Sequence, residues 1–148
     1  MTMRFLMLYR PAETEKTEAG VPPTKERIAE MGKFIEEMTK AGVLVATEGC
    51  QPTRKGARVR LSNGKLTVTD GPFAESKELI AGFALAEANS KEETIEWAKR
   101  FLKVAGDGES EIRQLWELSD FSPDVLPAEE AAREQALRAE MQRKAAVR

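Results

Sequence analysis

Apolar and polar positions alternate in some stretches of this chain and recur at helical spacing in others, and the two patterns divide it into elements. "MRFLMLY" (residues 3–9) is apolar on both faces, with Phe5, Met7 and Tyr9 on one and Leu6 and Leu8 on the other. A strand greasy on both sides predicts a central position, covered twice. "RPAETEKTEAGVPP" (residues 10–23) is polar and Pro-containing and predicts a loop. Ile28, Met31, Ile35 and Met38 then recur at helical spacing with Phe34 beside them. Thr24 is the expected N-cap and Gly42 the terminator. "VLVATE" (residues 43–48) predicts the next strand.

"ARVRLSNGKLTVTD" (residues 57–70) carries the strongest local signal. Asn63-Gly64 suits a two-residue type I′ turn. That turn sets Leu61 opposite Leu66 and Val59 opposite Val68, all on one face, with Arg58, Arg60, Thr67 and Thr69 on the other. "LIAGFALAEA" (residues 79–88) predicts a second central strand. Ser90 and Glu93 suggest a capping box for a helix whose Ile95, Ala98, Phe101 and Leu102 face inward, with Trp97 a turn before Phe101, and Gly106 ends it. "EIRQLWEL" (residues 111–118) predicts the last strand, with Ile112, Trp116 and Leu118 on one face.

The order β-α-β, hairpin, β-α-β predicts an α+β fold: a ferredoxin-like βαββαβ sandwich with an inserted β-hairpin and both helices on one sheet face. The opposite face would then meet water through apolar side chains, which implies a face-to-face homodimer. The expected domain covers residues 1–119. Residues 120–148 form a C-terminal extension, mostly one helix, acidic early and basic late as the helix dipole favours. Its apolar stripe is thin: Leu137, Met141 and a few alanines.

Composition narrows the chemistry. The chain has 148 residues, a size at which roughly 70% of the unfolded surface can be buried. Its net charge of −2, with acids and bases interleaved, argues against nucleic-acid or anionic-membrane partners. The longest uncharged apolar run, "LIAGFALA", is too short to span a bilayer. The start lacks the apolar stretch of a secretory signal, and one cysteine, Cys50, fits a reducing cytoplasm. The absence of histidine removes the commonest general base and metal ligand. No metal or cofactor is expected. Asp70, Glu75 and Glu78 match no cation loop, and no glycine-rich phosphate loop follows a strand.

Asp70 is the candidate for chemistry. It is in phase with Leu66 and Val68, so its carboxylate is expected to lean toward the interior. One reading makes it a cap: Pro72 opens a single helical turn, and the amides of Phe73 and Ala74 meet the carboxylate. The other places it at the rim of a pocket, as proton acceptor or polar anchor. Phe73 is a core plug or a pocket wall. Glu75 and Glu78 belong to a solvated turn, and Lys77 pairs with Asp70 or Glu75. "RKGARVR" gathers Arg54, Lys55, Arg58 and Arg60, which protect an edge from stray pairing or, as the sharper alternative without interleaved aromatics, form an anion or RNA site.

"TDGPFAESKELIAGF" (residues 69–83) resembles the signature of the YCII-related proteins, in the group named for its DGPF motif. "MRFLMLY", "GARVRLSNGKLTVTDGPFAESKE", "AGFALAEA", "EETIEWAKR" and "EIRQLWE" extend the likeness over most of the chain. The resemblance implies a dimeric α/β barrel, in which two ferredoxin-like sheets pack face to face, in a small cytoplasmic protein. It also implies a pocket in which a histidine and an aspartate work together. The aspartate corresponds to Asp70; the histidine has no counterpart here. Asp70 is left with Tyr9, Arg10 or Lys77 as polar company. Genes of this group tend to neighbour those of alternative sigma factors, which implies a stress or regulatory setting.

Two functions follow as expectations. The first is a small-molecule binding protein or enzyme doing proton transfer, with Asp70 as the catalytic group and Met7, Tyr9, Arg10, Phe73, Glu75 and Lys77 around the ligand. The second is a non-enzymatic interaction protein acting through its dimer and C-terminal helix.

Overall fold

The computed structural model describes residues 1–73 and 78–147. The chain divides into two compact units, Met1–Leu115 and Trp116–Arg148. In the first, β1 (Met3–Pro11), β2 (Leu44–Gly49), β5 (Gly82–Ala88) and β6 (Gly108–Gln114) make an antiparallel sheet in the order β2-β5-β1-β6. The helices α2 (Lys25–Lys40) and α3 (Lys91–Ala105) lie between strands, as a ferredoxin-like α+β fold requires. The two strands that are apolar on both faces, β1 and β5, are the central ones. The hairpin β3 (Ala57–Ser62) and β4 (Lys65–Asp70) forms a separate two-stranded sheet.

Both helices cover one sheet face. Met7, Phe34, Met38, Val43, Ala86 and Ala98 are buried together there, with Met31, Trp97, Phe101 and Ile112 packed around them. The Phe34 ring tilts against Trp97 and Phe101 at centroid distances of 5.9 and 6.4 Å. Thr24 caps α2 by accepting from the Arg27 amide, and Ser90 caps α3 by accepting from the Glu93 amide. Glu93 in turn accepts from the Asn89 amide, one residue further back than a capping box requires. Gly42, at φ 73°, ends α2 in the left-handed region.

Several expectations are corrected. The loop after β1 holds a short helix, α1 (Thr14–Glu18). Ile28 is 58% exposed, because α2 packs through its later turns at Met31, Phe34 and Met38. The second central strand begins at Gly82, not Leu79, and β6 ends at Gln114. Trp116 therefore leaves the sheet, and its ring stacks on Phe121 at 4.9 Å within the second unit. That unit is dominated by α4 (Ala128–Ala146), which buries none of its residues and leaves Leu137 and Met141 exposed. No helix among the described residues is long and apolar enough to cross a membrane.

Candidate functional site

The motif that begins at Asp70 sits where the hairpin returns to its own root. β2 ends at Gly49, and the Cys50 amide donates to the Ala81 carbonyl at 2.8 Å. A single 3-10 turn, Thr53–Lys55, starts the hairpin, and Asn63-Gly64 closes it with φ of 51° and 77°. Both positive angles are what a type I′ turn needs. The register pairs Leu61 with Leu66, Val59 with Val68 and Ala57 with Asp70. At the root, the Gly71 amide donates to the Gly56 carbonyl at 3.0 Å.

Gly71 follows Asp70 because nothing larger fits. A Cβ there would lie 1.6 Å from the Thr53 carbonyl oxygen. Only glycine lets the backbone approach that closely. The Gly71-Pro72 peptide is cis.

Thr53 is the hub of this root. Its hydroxyl accepts from the Phe73 amide at 3.1 Å and donates to the Glu18 carboxylate. The other Glu18 oxygen accepts from the Thr53 amide at 2.9 Å. Arg54 donates to the Glu18 carbonyl, also at 2.9 Å. These hydrogen bonds from Thr53 hold the Glu18 carboxyl below the usual glutamate range. The Arg58 guanidinium lies 4.0 Å over the Phe73 ring, a cation–π contact that pins the motif from the hairpin side.

Of the two amides expected to meet the Asp70 carboxylate, that of Ala74 lies outside the described residues. The Phe73 amide goes to Thr53, and no helix opens at Pro72. Asp70 ends β4 and is exposed, so the expected inward lean is not met within one chain. Alternation along β4 sets Asp70 on the apolar hairpin face of Leu66 and Val68, and that face is itself in the open. Among the described residues, no hydrogen bond or ion pair engages its carboxylate.

Of the remaining candidates, those described fall on two faces of β1. Met7 is buried in the helix-covered core. Tyr9 lies on the same face, its ring edge-on to Phe101 at 5.1 Å and its hydroxyl at 3.4 Å from the Asp107 carbonyl. Burial raises its phenol above the ordinary tyrosine value, against the pull of Arg27. Arg10 is on the opposite face, paired with Glu111 at 2.9 Å and reaching Glu109 at 3.9 Å. Glu75 and Lys77 lie outside the described residues.

Sequence reasoning missed Glu18 and Thr53. They are 35 positions apart in polar segments, and no periodicity links them. One groove of about 470 Å³ is lined wholly by the second unit, including Glu117, Gln135 and Arg138. No three acidic or thiol side chains gather as a metal site among the described residues.

The chain is 34% identical over 97 residues to the uncharacterized protein R00369 of Rhizobium meliloti (strain 1021), a match covering 65% of this chain and 73% of that protein. Residues 3–121 match the model of the YCII-related domain, from the first strand through the hairpin and motif to just beyond β6. The chain belongs to the YCII-related domain family.

Proposed function

We propose that this is a cytoplasmic homodimer that binds a small molecule beside the motif at Asp70, the carboxylate serving as polar anchor for a hydroxyl or amine of the ligand. The observation that carries this reading is the contrast between Asp70 and its surroundings. Gly71, Phe73, Thr53 and Glu18 fix the loop by close approach and hydrogen bonds. Among the described residues, no hydrogen bond or ion pair engages the Asp70 carboxylate. A carboxylate presented from a fixed turn, and unengaged among the described residues, is placed to meet a ligand. If a reaction follows, proton transfer is the chemistry that a carboxylate without histidine can perform.

The dimer is part of the proposal. On the sheet face away from the helices, Leu6, Leu8, Phe83 and Leu85 form an apolar centre, with Arg10, Glu87 and Glu111 around it. Such a surface suits a two-fold contact with the same face of a second copy.

The test is a thermal-shift panel of metabolite classes on wild type and Asp70→Asn. A compound should raise the wild-type Tm and leave Asp70→Asn unmoved, while the two unliganded proteins melt together. If Asp70→Asn alone lowers the unliganded Tm and no compound moves the wild type, the carboxylate is structural and the reading fails.

A second reading rests on Leu137 and Met141, both exposed on α4. It makes the protein a regulatory partner, in a sigma-factor-dependent stress setting, that acts through this helix. Truncation after Pro127 would then remove partner binding and leave the dimer intact.

A further inference from the structure

We infer that the hairpin β3–β4 is a dimerisation arm: its apolar face packs on a second copy of this chain and carries Asp70 into the seam between the two. The inference rests on the proposed dimer and adds to it.

The hairpin is amphipathic in register. Val59, Leu61, Leu66 and Val68 share one face, as adjacent cross-strand pairs. Each is 67% to 70% exposed. Arg58, Arg60, Thr67 and Thr69 occupy the other face, where solvent suits them. Single exposed aliphatics are ordinary, but four in contiguous pairs make a patch that calls for cover. A two-stranded hairpin also has little stability of its own in water. All twelve strand residues are nonetheless exposed.

Area indicates a second copy as the cover. Four strands about 4.8 Å apart, with about seven residues each at roughly 3.3 Å, give the open sheet face a footprint of roughly 450 Å². A specific interface takes about 800 Å² from each partner. The open face alone falls well short. A hairpin face two strands wide and about six residues long adds roughly 200 Å². Sheet face and arm together bring each copy to roughly 650 Å², most of the way to that value. The arm is also rooted correctly for this. It leaves the sheet at Gly49, the end of the edge strand β2, and rejoins it at Gly82, the start of β5 beside it.

Strand alternation supplies the functional consequence. Asp70 shares the face of Leu66 and Val68. Docking that face sets its carboxylate against the partner, so each ligand site would draw on both copies.

The experiment is sedimentation equilibrium on the full chain. The arm variant replaces Val59, Leu61, Leu66 and Val68 together by threonine, which keeps β-propensity and removes apolar area. Leu8→Lys is the separate probe of the open sheet face, and Arg60→Thr the control on the arm's polar face. The arm variant should dimerise at least ~100-fold more weakly than wild type, with an unchanged far-UV spectrum, and Arg60→Thr should match wild type. Intermolecular NOEs in mixed-label dimers should link the Val68 methyls and Asp70 Hβ to the partner. If Leu8→Lys dissociates the dimer but the arm variant does not, the arm docks elsewhere and the inference falls while the dimer stands. If wild type is monomeric at ~100 μM, the dimer reading falls first and takes the arm with it.

Discussion

The helix-covered sheet face and the hairpin arm are built on opposite principles. In the first, β1 and β5 bury Phe5, Met7 and Ala86, and α2 and α3 close over them. Stability there comes from apolar area removed from water. The arm buries none of its strand residues in one chain. It is held by its own ladder and turn, and at the root by Gly71 against Thr53, Thr53 on Glu18 and Phe73 beneath Arg58. The first region is complete as a single copy. The second is precise at its base and unfinished along its length, which suits a segment whose partner comes from outside.

The comparison breaks most visibly in the core. Phe5 is 1% exposed, and Phe5→Ala should cost about 3–5 kcal/mol. Urea denaturation under dilute, monomeric conditions would read this directly. Leu61→Ala under the same conditions should cost less than about 0.5 kcal/mol, as an exposed position does. Equal costs at the two sites would mean that the arm is buried within its own chain.

At the root the expected effects are smaller and local. Gly71→Ala puts a methyl group into the Thr53 carbonyl, and the overlap should cost about 1–3 kcal/mol as the turn and motif separate. Thr53→Val leaves the Phe73 amide without its acceptor and the Glu18 carboxylate without its hydroxyl donor, a loss of about 1–2 kcal/mol. Hydrogen exchange at Phe73 and Gly56 should rise in both variants while the β1–β5 amides stay protected. Uniform loss of protection would show that root and core unfold as one unit, and the contrast between them would disappear.

What the sequence made legible follows the same divide. The β1 and β5 patterns placed both strands at the sheet centre because period-2 alternation and two-sided burial are local signals. The hairpin register was readable for the same reason: Asn63-Gly64 fixes the turn, and the turn fixes every pair. What was not legible was long-range and polar. Nothing in "QPTRKG" announces that Thr53 will seat Phe73, or that Glu18, from a segment expected to be a loop, will hold Thr53. The exposure of Asp70 in one chain turns on a related point. Alternation assigns a face to a side chain, but only the surrounding structure decides whether that face is covered.

The finest test concerns that polar root and its dependence on pH. The hydrogen bonds from the Thr53 hydroxyl and amide hold the Glu18 carboxyl below the usual glutamate range. Because its folded value is depressed, its stabilising contribution is fully present above the ordinary glutamate value and is lost as pH falls through the folded one. At neutral pH the tie is therefore intact, and only acid loosens it. An acid titration followed on the Thr53 and Phe73 amide resonances should show one local transition below the ordinary glutamate range. Glu18→Gln should abolish that transition, since an amide does not titrate, and should leave the β1 and β5 resonances where they were. A wild-type transition at or above the ordinary glutamate value would mean that Thr53 does not favour the charged carboxylate. The root would then be held by contacts indifferent to acid, among them the Gly71–Gly56 and Phe73–Thr53 hydrogen bonds and the Arg58–Phe73 contact.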